Sequence, residues 1–149
     1  VIQGANNLAI KLKTEHLAQI KQHGEQTYPH ECCGFLLGER EGSTNYLREV
    51  YGAENERQDS RHNRYLITPE QSKRADSYAR SRGLGVIGYY HSHPDHPAAP
   101  SGYDLDHSCW PGESYIIVAI EKGKAAALNS FTKPDYTQFE QEEILVEDS

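Results

Sequence analysis

A chain of 149 residues suffices for one domain that buries about two-thirds of its unfolded surface without covalent staples. Fifteen Lys and Arg against 22 Asp and Glu leave a formal net charge of −7, which argues against a nucleic-acid partner, because phosphate binding demands a basic face. No run approaches the roughly 20 apolar residues of a membrane span and residues 1–13 lack a signal-peptide core, so no membrane contact and a cytoplasmic location are expected.

Residues 8–12 alternate as a short strand does. Thr14 offers an N-cap for a helix to about Gly24 with Leu17 and Ile20 on one face, before Tyr28-Pro29-His30-Glu31 interrupts the pattern. Residues 32–38 (CCGFLLG) form a buried strand, with 46–51 as partner across Glu41-Gly42-Ser43. Cys32 and Cys33 here and Cys109 later are an odd set, neither a disulfide framework nor a C-x-x-C site, and buried reduced thiols are expected. Residues 54–64 are a charged, solvated loop and 65–67 a brief strand. Thr68 as N-cap and Pro69 at the first helical position open a helix to about Arg82, ended by Gly83-Leu84-Gly85. A strand at 86–90 runs into a loop stiffened by Pro94, Pro97 and Pro100, followed by a helix over 102–109 and a turn at Trp110-Pro111-Gly112. Residues 115–120, nearly all apolar, make a central strand paired with 125–131 across the hairpin at 121–124. The acidic stretch 136–149 reads as an edge strand or short helix before a frayed end. No repeat or linker divides the chain, so a single α/β domain over 1–149 is expected, while the absence of any methionine points to processing or excision from a longer product.

The chemistry-bearing signal follows the strand at 86–90. His91, His93 and Asp104 fall as H-x-H-x10-D, and four of the eight histidines lie within 91–107. Residues two apart on a strand point to the same side, so His91 and His93 can offer both imidazoles to one ion while Ser92 faces away. The proline loop leads to Ser101, a natural N-cap, and puts Asp104 on the first turn of the next helix. Taken alone, Ser101 and Asp104 also fit a capping box, and an isolated histidine at a strand end is more often a surface or core residue than a ligand. Together, two histidines, one carboxylate and an open fourth position are the donor set of a catalytic zinc. H-x-H-x-D-H at 91–96 also spells the metal motif of the metallo-β-lactamase fold, but only 53 residues and one histidine, His107, follow His96, too few for its further ligands. The H-x-E and P-C-x-x-C motifs of zinc nucleobase deaminases are absent.

Glu31, His91, His93, Ser101 and Asp104 together resemble the JAMM metallopeptidase signature of the MPN domain, a glutamate upstream of H-x-H-x7-S-x2-D. Residues 28–38 (YPHECCGFLLG) and 88–94 (GYYHSHP) are similar to the glutamate-bearing and metal-bearing segments of bacterial and archaeal members. The resemblance implies a three-layer, deaminase-like α/β fold with a mixed β-sheet flanked by helices. It further implies Zn2+ held by His91, His93 and Asp104, Glu31 as general base and Ser101 as donor to the oxyanion, with Asp95, His96, Asp106 and His107 around the rim. The loops are short, without the insertions that hold ubiquitin in eukaryotic relatives. The substrate implied is the C-terminal Gly-Gly tail of a ubiquitin-like or sulfur-carrier protein, cut at a peptide or isopeptide bond. Such a tail would add as a strand to a sheet edge, its glycines passing between the zinc strand and the Glu31 segment. Two alternatives stay open: a catalytically silent MPN scaffold, which usually lacks ligands that are all present here, and a zinc peptidase acting on cell-wall or phage-tail peptides.

Overall fold

The structure, a computed structural model, describes residues 8–55, 67–101, 112–133 and 139–148. Nine elements follow one another among them: β1 (Ala9–Leu12), α1 (Thr14–Thr27), β2 (Cys33–Glu41), β3 (Thr44–Ala53), α2 (Pro69–Ser81), β4 (Gly85–Pro94), β5 (Ser114–Glu121), β6 (Lys124–Thr132) and β7 (Glu140–Val146). Among the described residues no helix is long and apolar enough to cross a membrane.

The seven strands close into one mixed sheet in the order β1-β3-β2-β4-β5-β6-β7. Tight turns make two of the four antiparallel pairs, Gly42 at φ 65° letting β2 fold back on β3 and Gly123 at φ 87° doing the same for β5 and β6, while β2–β4 and β6–β7 are the others. Parallel pairing of β4 with β5, and of β1 with both β3 and β7, completes the ring. One face gathers Ile10, Leu12, Leu36, Leu47, Tyr90, Ile116, Val118 and Ile120, and α1 lays Ile20 against them. The other face carries Phe35 and Leu37 under Ala75 and Ala79 of α2. Each fully buried aliphatic side chain of this kind contributes about 1.5–3 kcal/mol.

The expected mixed sheet with a helix on each face is present, but the sheet is closed instead of an open middle layer. The physical reason is β1, whose Ile10 and Leu12 are fully buried and whose backbone bonds on both sides. The C-terminal segment is correspondingly no edge: β7 pairs with β6 on one side and β1 on the other. Its acidic character hid this, since Glu142 is itself buried and accepts the Ser130 hydroxyl at 2.6 Å. Gly24 does not stop α1, which continues to Thr27. That glycine marks a close approach, where a Cβ would lie 2.7 Å from Ile120. The N-cap of α1 is Lys13, with Thr14 the first helical residue. The second helix starts as expected, Thr68 Oγ1 accepting from the Gln71 amide at 3.2 Å and Gln71 Oε1 from the Thr68 amide at 2.9 Å. Ile67 is not in a strand, and Tyr65, Leu66, the expected helix over 102–109, Cys109 and the Trp110-Pro111 turn lie outside the described residues.

Gly88 and Gly85 provide a test of how tightly β4 is seated. A Cβ on Gly88 would sit 2.0 Å from the Ser114 carbonyl oxygen, whereas one on Gly85 meets nothing within 4 Å. Gly88→Ala is expected to cost about 3 kcal/mol or prevent folding, and Gly85→Ala to stay within about 0.5 kcal/mol, as read from urea unfolding.

Candidate active site

β4 does not end at Tyr90. It runs through His91-Ser92-His93 to Pro94 because β5 supplies a parallel partner that far, His91 opposite Ile117, His93 opposite Ala119 and Pro94 opposite Ile120. Alternation then sorts the side chains. Tyr90 joins the inner core, and Ser92 turns the same way to accept the Cys32 amide on Oγ at 2.8 Å. His91 and His93 face outward over Ile117 and Ala119, which pack with Ala98 and Phe131.

The register of β2 on β4 brings the Glu31 segment to the same place. Cys33 pairs with His91, and Ser92 donates its amide to the Cys32 carbonyl at 3.1 Å, so Cys32 lies opposite Ser92 and Glu31 falls opposite His93. Glu31 is 5% exposed, and the Asn55 side-chain amide donates to its carbonyl at 3.1 Å. Beneath this row Tyr90 lies across Gly34, where a Cβ would come within 2.2 Å of the ring, and its phenol meets His23 Nδ1 at 2.6 Å.

His91 and His93 are 3% and 7% exposed, with ring centroids 4.9 Å apart and their Nε2 atoms separated by 3.1 Å. His93 Nδ1 lies 2.8 Å from the Pro97 carbonyl, which can only accept, so Nδ1 bears the hydrogen and Nε2 of the neutral ring keeps its lone pair. Two Nε2 atoms at this separation are held by one shared proton or by one cation taking both lone pairs. Nitrogens on a tetrahedral zinc stand about 3.4 Å apart, so the pair fits that ion with little adjustment. Ser101 is exposed at the end of its described stretch and Asp104 lies outside the described residues, so the structure brings together two of the three expected ligands. Among the described residues no group of three or more metal-ligating side chains is gathered.

The loop beyond β4 is anchored by Asp95. Its Oδ2 accepts from the Tyr28 hydroxyl at 2.6 Å and its Oδ1 from the Lys122 amide at 2.8 Å, and these bonds, Tyr28 first, hold the carboxyl below the usual carboxylate range. An open groove of about 910 Å³ lies between this loop and the β5–β6 hairpin, floored by Ala98, Ala119 and Ala127 and flanked by His96. Burial pushes the Cys32 thiol up to about 11, against hydrogen bonds from Ser92 and Thr27, which leaves it protonated at neutral pH and unsuited to act as a nucleophile. Asn55 belongs to a stretch that reads as solvated loop, and neither its bond to Glu31 nor the Tyr28–Asp95 contact has a periodic signal that could have revealed it.

Residues 13–132 match the prokaryotic homologs of the JAB domain. The chain belongs to that family. This JAB domain is 28% identical over 111 residues to the desampylase of Haloferax volcanii, covering 74% of this chain and 78% of that protein. It is 41% identical to a Salinibacter ruber protein solved in solution, with a TM-score of 0.74 and coverage of 93% of this chain and 92% of that one. A JAB1/MPN domain protein from Archaeoglobus fulgidus shares its fold at 18% identity, with a TM-score of 0.57 over 92% of this chain and 98% of that one.

Two features of the JAB domain define the surroundings of the histidine strand. β4 is paired with β2 on one side and β5 on the other, so it offers no open edge to an added strand. The Cys32–Ser92 bonds also tie the histidine strand directly to the segment that carries Glu31.

Ser92→Ala removes the acceptor of the Cys32 amide in a fully buried setting. The orphaned donor is expected to cost about 1–3 kcal/mol in chemical unfolding, more than the loss of an exposed serine hydroxyl.

Proposed function

We propose that this JAB domain is a zinc-dependent peptidase or isopeptidase that cuts after the C-terminal Gly-Gly of a ubiquitin-like or sulfur-carrier protein. The observation that carries the reading is the histidine pair, whose Nε2 atoms stand 3.1 Å apart with His93 oriented by the Pro97 carbonyl. The Haloferax volcanii desampylase supports the isopeptidase side of it.

His91, His93 and Asp104 would hold the ion. When bound, zinc supplies Lewis acidity, making water a nucleophile at neutral pH and polarising the scissile carbonyl. Glu31, opposite His93 in register and nearly buried, takes a proton from the attacking water on a carboxylate oxygen and returns it to the departing amine. Ser101 donates its hydroxyl to the oxygen that gains charge as the carbonyl becomes tetrahedral; such a donor is worth about 10²-fold or more in rate. The tail runs along the groove lined by Ala98, Ala119 and Ala127, and glycine is favoured next to the nearly buried histidines because a residue without Cβ needs the least clearance.

Elemental analysis of untagged protein is expected to give about one zinc per chain, and His91→Ala with His93→Ala to remove it. Glu31→Gln is expected to keep zinc while hydrolysis collapses, since an amide cannot accept the proton. Full zinc occupancy in the double histidine variant overturns the site.

Mass spectrometry of products decides the substrate. A ubiquitin-like protein ending in Gly-Gly with an added residue or linked lysine is expected to be cut after the second glycine, and a Gly→Ala variant at that bond far more slowly. Equal cleavage of the alanine variant, or activity confined to cell-wall peptides, would overturn the tail assignment while leaving the hydrolase intact.

A further inference from the structure

Asp95 follows β4 directly, two residues beyond His93, at φ 57°. That left-handed conformation is one that aspartate and asparagine enter more readily than other side chains. Its amide donates to the Ile120 carbonyl at 2.7 Å, so the chain turns back against β5 and aims the carboxylate at two neighbours. One is the Lys122 amide in the β5–β6 turn, 2.8 Å from Oδ1. The other is the Tyr28 hydroxyl, 2.6 Å from Oδ2, a short charge-assisted bond.

Tyr28 caps the end of α1, its amide bonded to the Gly24 carbonyl at 3.1 Å, and stands three residues before Glu31. On the far side of Glu31, Cys32 is bonded to Ser92 through both its amide and its carbonyl. The segment from Tyr28 to Cys32 is therefore tied at both ends to the chain that carries the histidines, at Ser92 and at Asp95, with Glu31 between the ties and His93 between their anchors.

We infer that Asp95 is a positioning residue that, through the Tyr28 hydroxyl, braces the Glu31 segment against the histidine strand. The inference rests on the reading of Glu31 as general base. Releasing the Tyr28 tie loosens the near end of the segment, while the Cys32–Ser92 bonds and the Asn55 bond to the Glu31 carbonyl stay in place. The base then loses its alignment with the attacking water, while His91 and His93, seated on β4, keep theirs. The loss should fall on kcat and spare KM and metal content.

The test compares Tyr28→Phe, Asp95→Asn, Asp95→Ala and Glu31→Gln in the zinc-loaded full chain on a Gly-Gly-linked substrate, well below each variant's melting temperature. Tyr28→Phe keeps the Lys122 contact and removes only the hydroxyl, and is expected to lower kcat about tenfold with KM and zinc stoichiometry unchanged. Asp95→Asn tolerates the backbone and can still accept from Lys122 while its amide donates to Tyr28, so it is expected to stay within about twofold, with Asp95→Ala falling as Tyr28→Phe does. Combined with Glu31→Gln, Tyr28→Phe should lower the residual rate no further, because both act through one group. Amide exchange supplies a readout apart from turnover: Glu31 and Cys32 should exchange faster in Tyr28→Phe, with the β5 amides unaltered. Wild-type kcat in Tyr28→Phe, a further full loss in the double variant, or Asp95→Asn as impaired as Asp95→Ala overturns the brace. An inactive Glu31→Gln beside a fully active Tyr28→Phe sinks the brace alone, whereas a fully active Glu31→Gln sinks the general-base reading beneath it.

Discussion

The antiparallel register of β2 on β4 is the constraint from which the candidate site follows. With Cys33 opposite His91, two histidines from one strand and the segment that carries Glu31 are brought side by side. A slip of one residue would turn both imidazoles into the apolar interior and expose Tyr90 and Ser92. Packing forbids the slip. Tyr90 fits only over a residue without a side chain, and Gly34 is the one beneath it. The Cys32–Ser92 pair then locks the strand ends where regular pairing stops. Glycine is here a register pin, and the geometry of the outer face depends on bulk and hydrogen bonding on the inner one.

The site is also a product of which backbone groups are already satisfied. Because β4 bonds on both sides, the histidines sit on a rigid platform, and His93 gains its orientation from a carbonyl of the following loop. A carbonyl partner fixes the tautomer without adding charge, and it leaves the opposite nitrogen basic. The groove between that loop and the β5–β6 hairpin is floored by Ala98, Ala119 and Ala127.

Local periodicity made part of this legible. The H-x-H alternation depends only on strand geometry, and the structure keeps both rings on one side with Ser92 opposed. The capping box at Thr68 and Gln71 is likewise a matter of neighbours three residues apart. Glu31 was identifiable only through family resemblance, because what brings it opposite His93 is pairing between segments some sixty residues apart. The same limit hid the closure of the sheet. Parallel pairing leaves no turn signature, and the buried Glu142 disguised β7 as a solvated tail. Gly24 is ambiguous in sequence for a related reason: a glycine that stops a helix and one that lets a helix touch a sheet look alike in one dimension.

β1 and β7 are neighbours in the sheet, Ile10 beside Ile144, and Thr14 bonds through both its amide and hydroxyl to Asp148, 134 residues away. The ring therefore cannot close until a strand near the end of the sequence has been made. Pairing of this kind, between segments so far apart in the chain, is the non-local type of contact that raises contact order and slows folding.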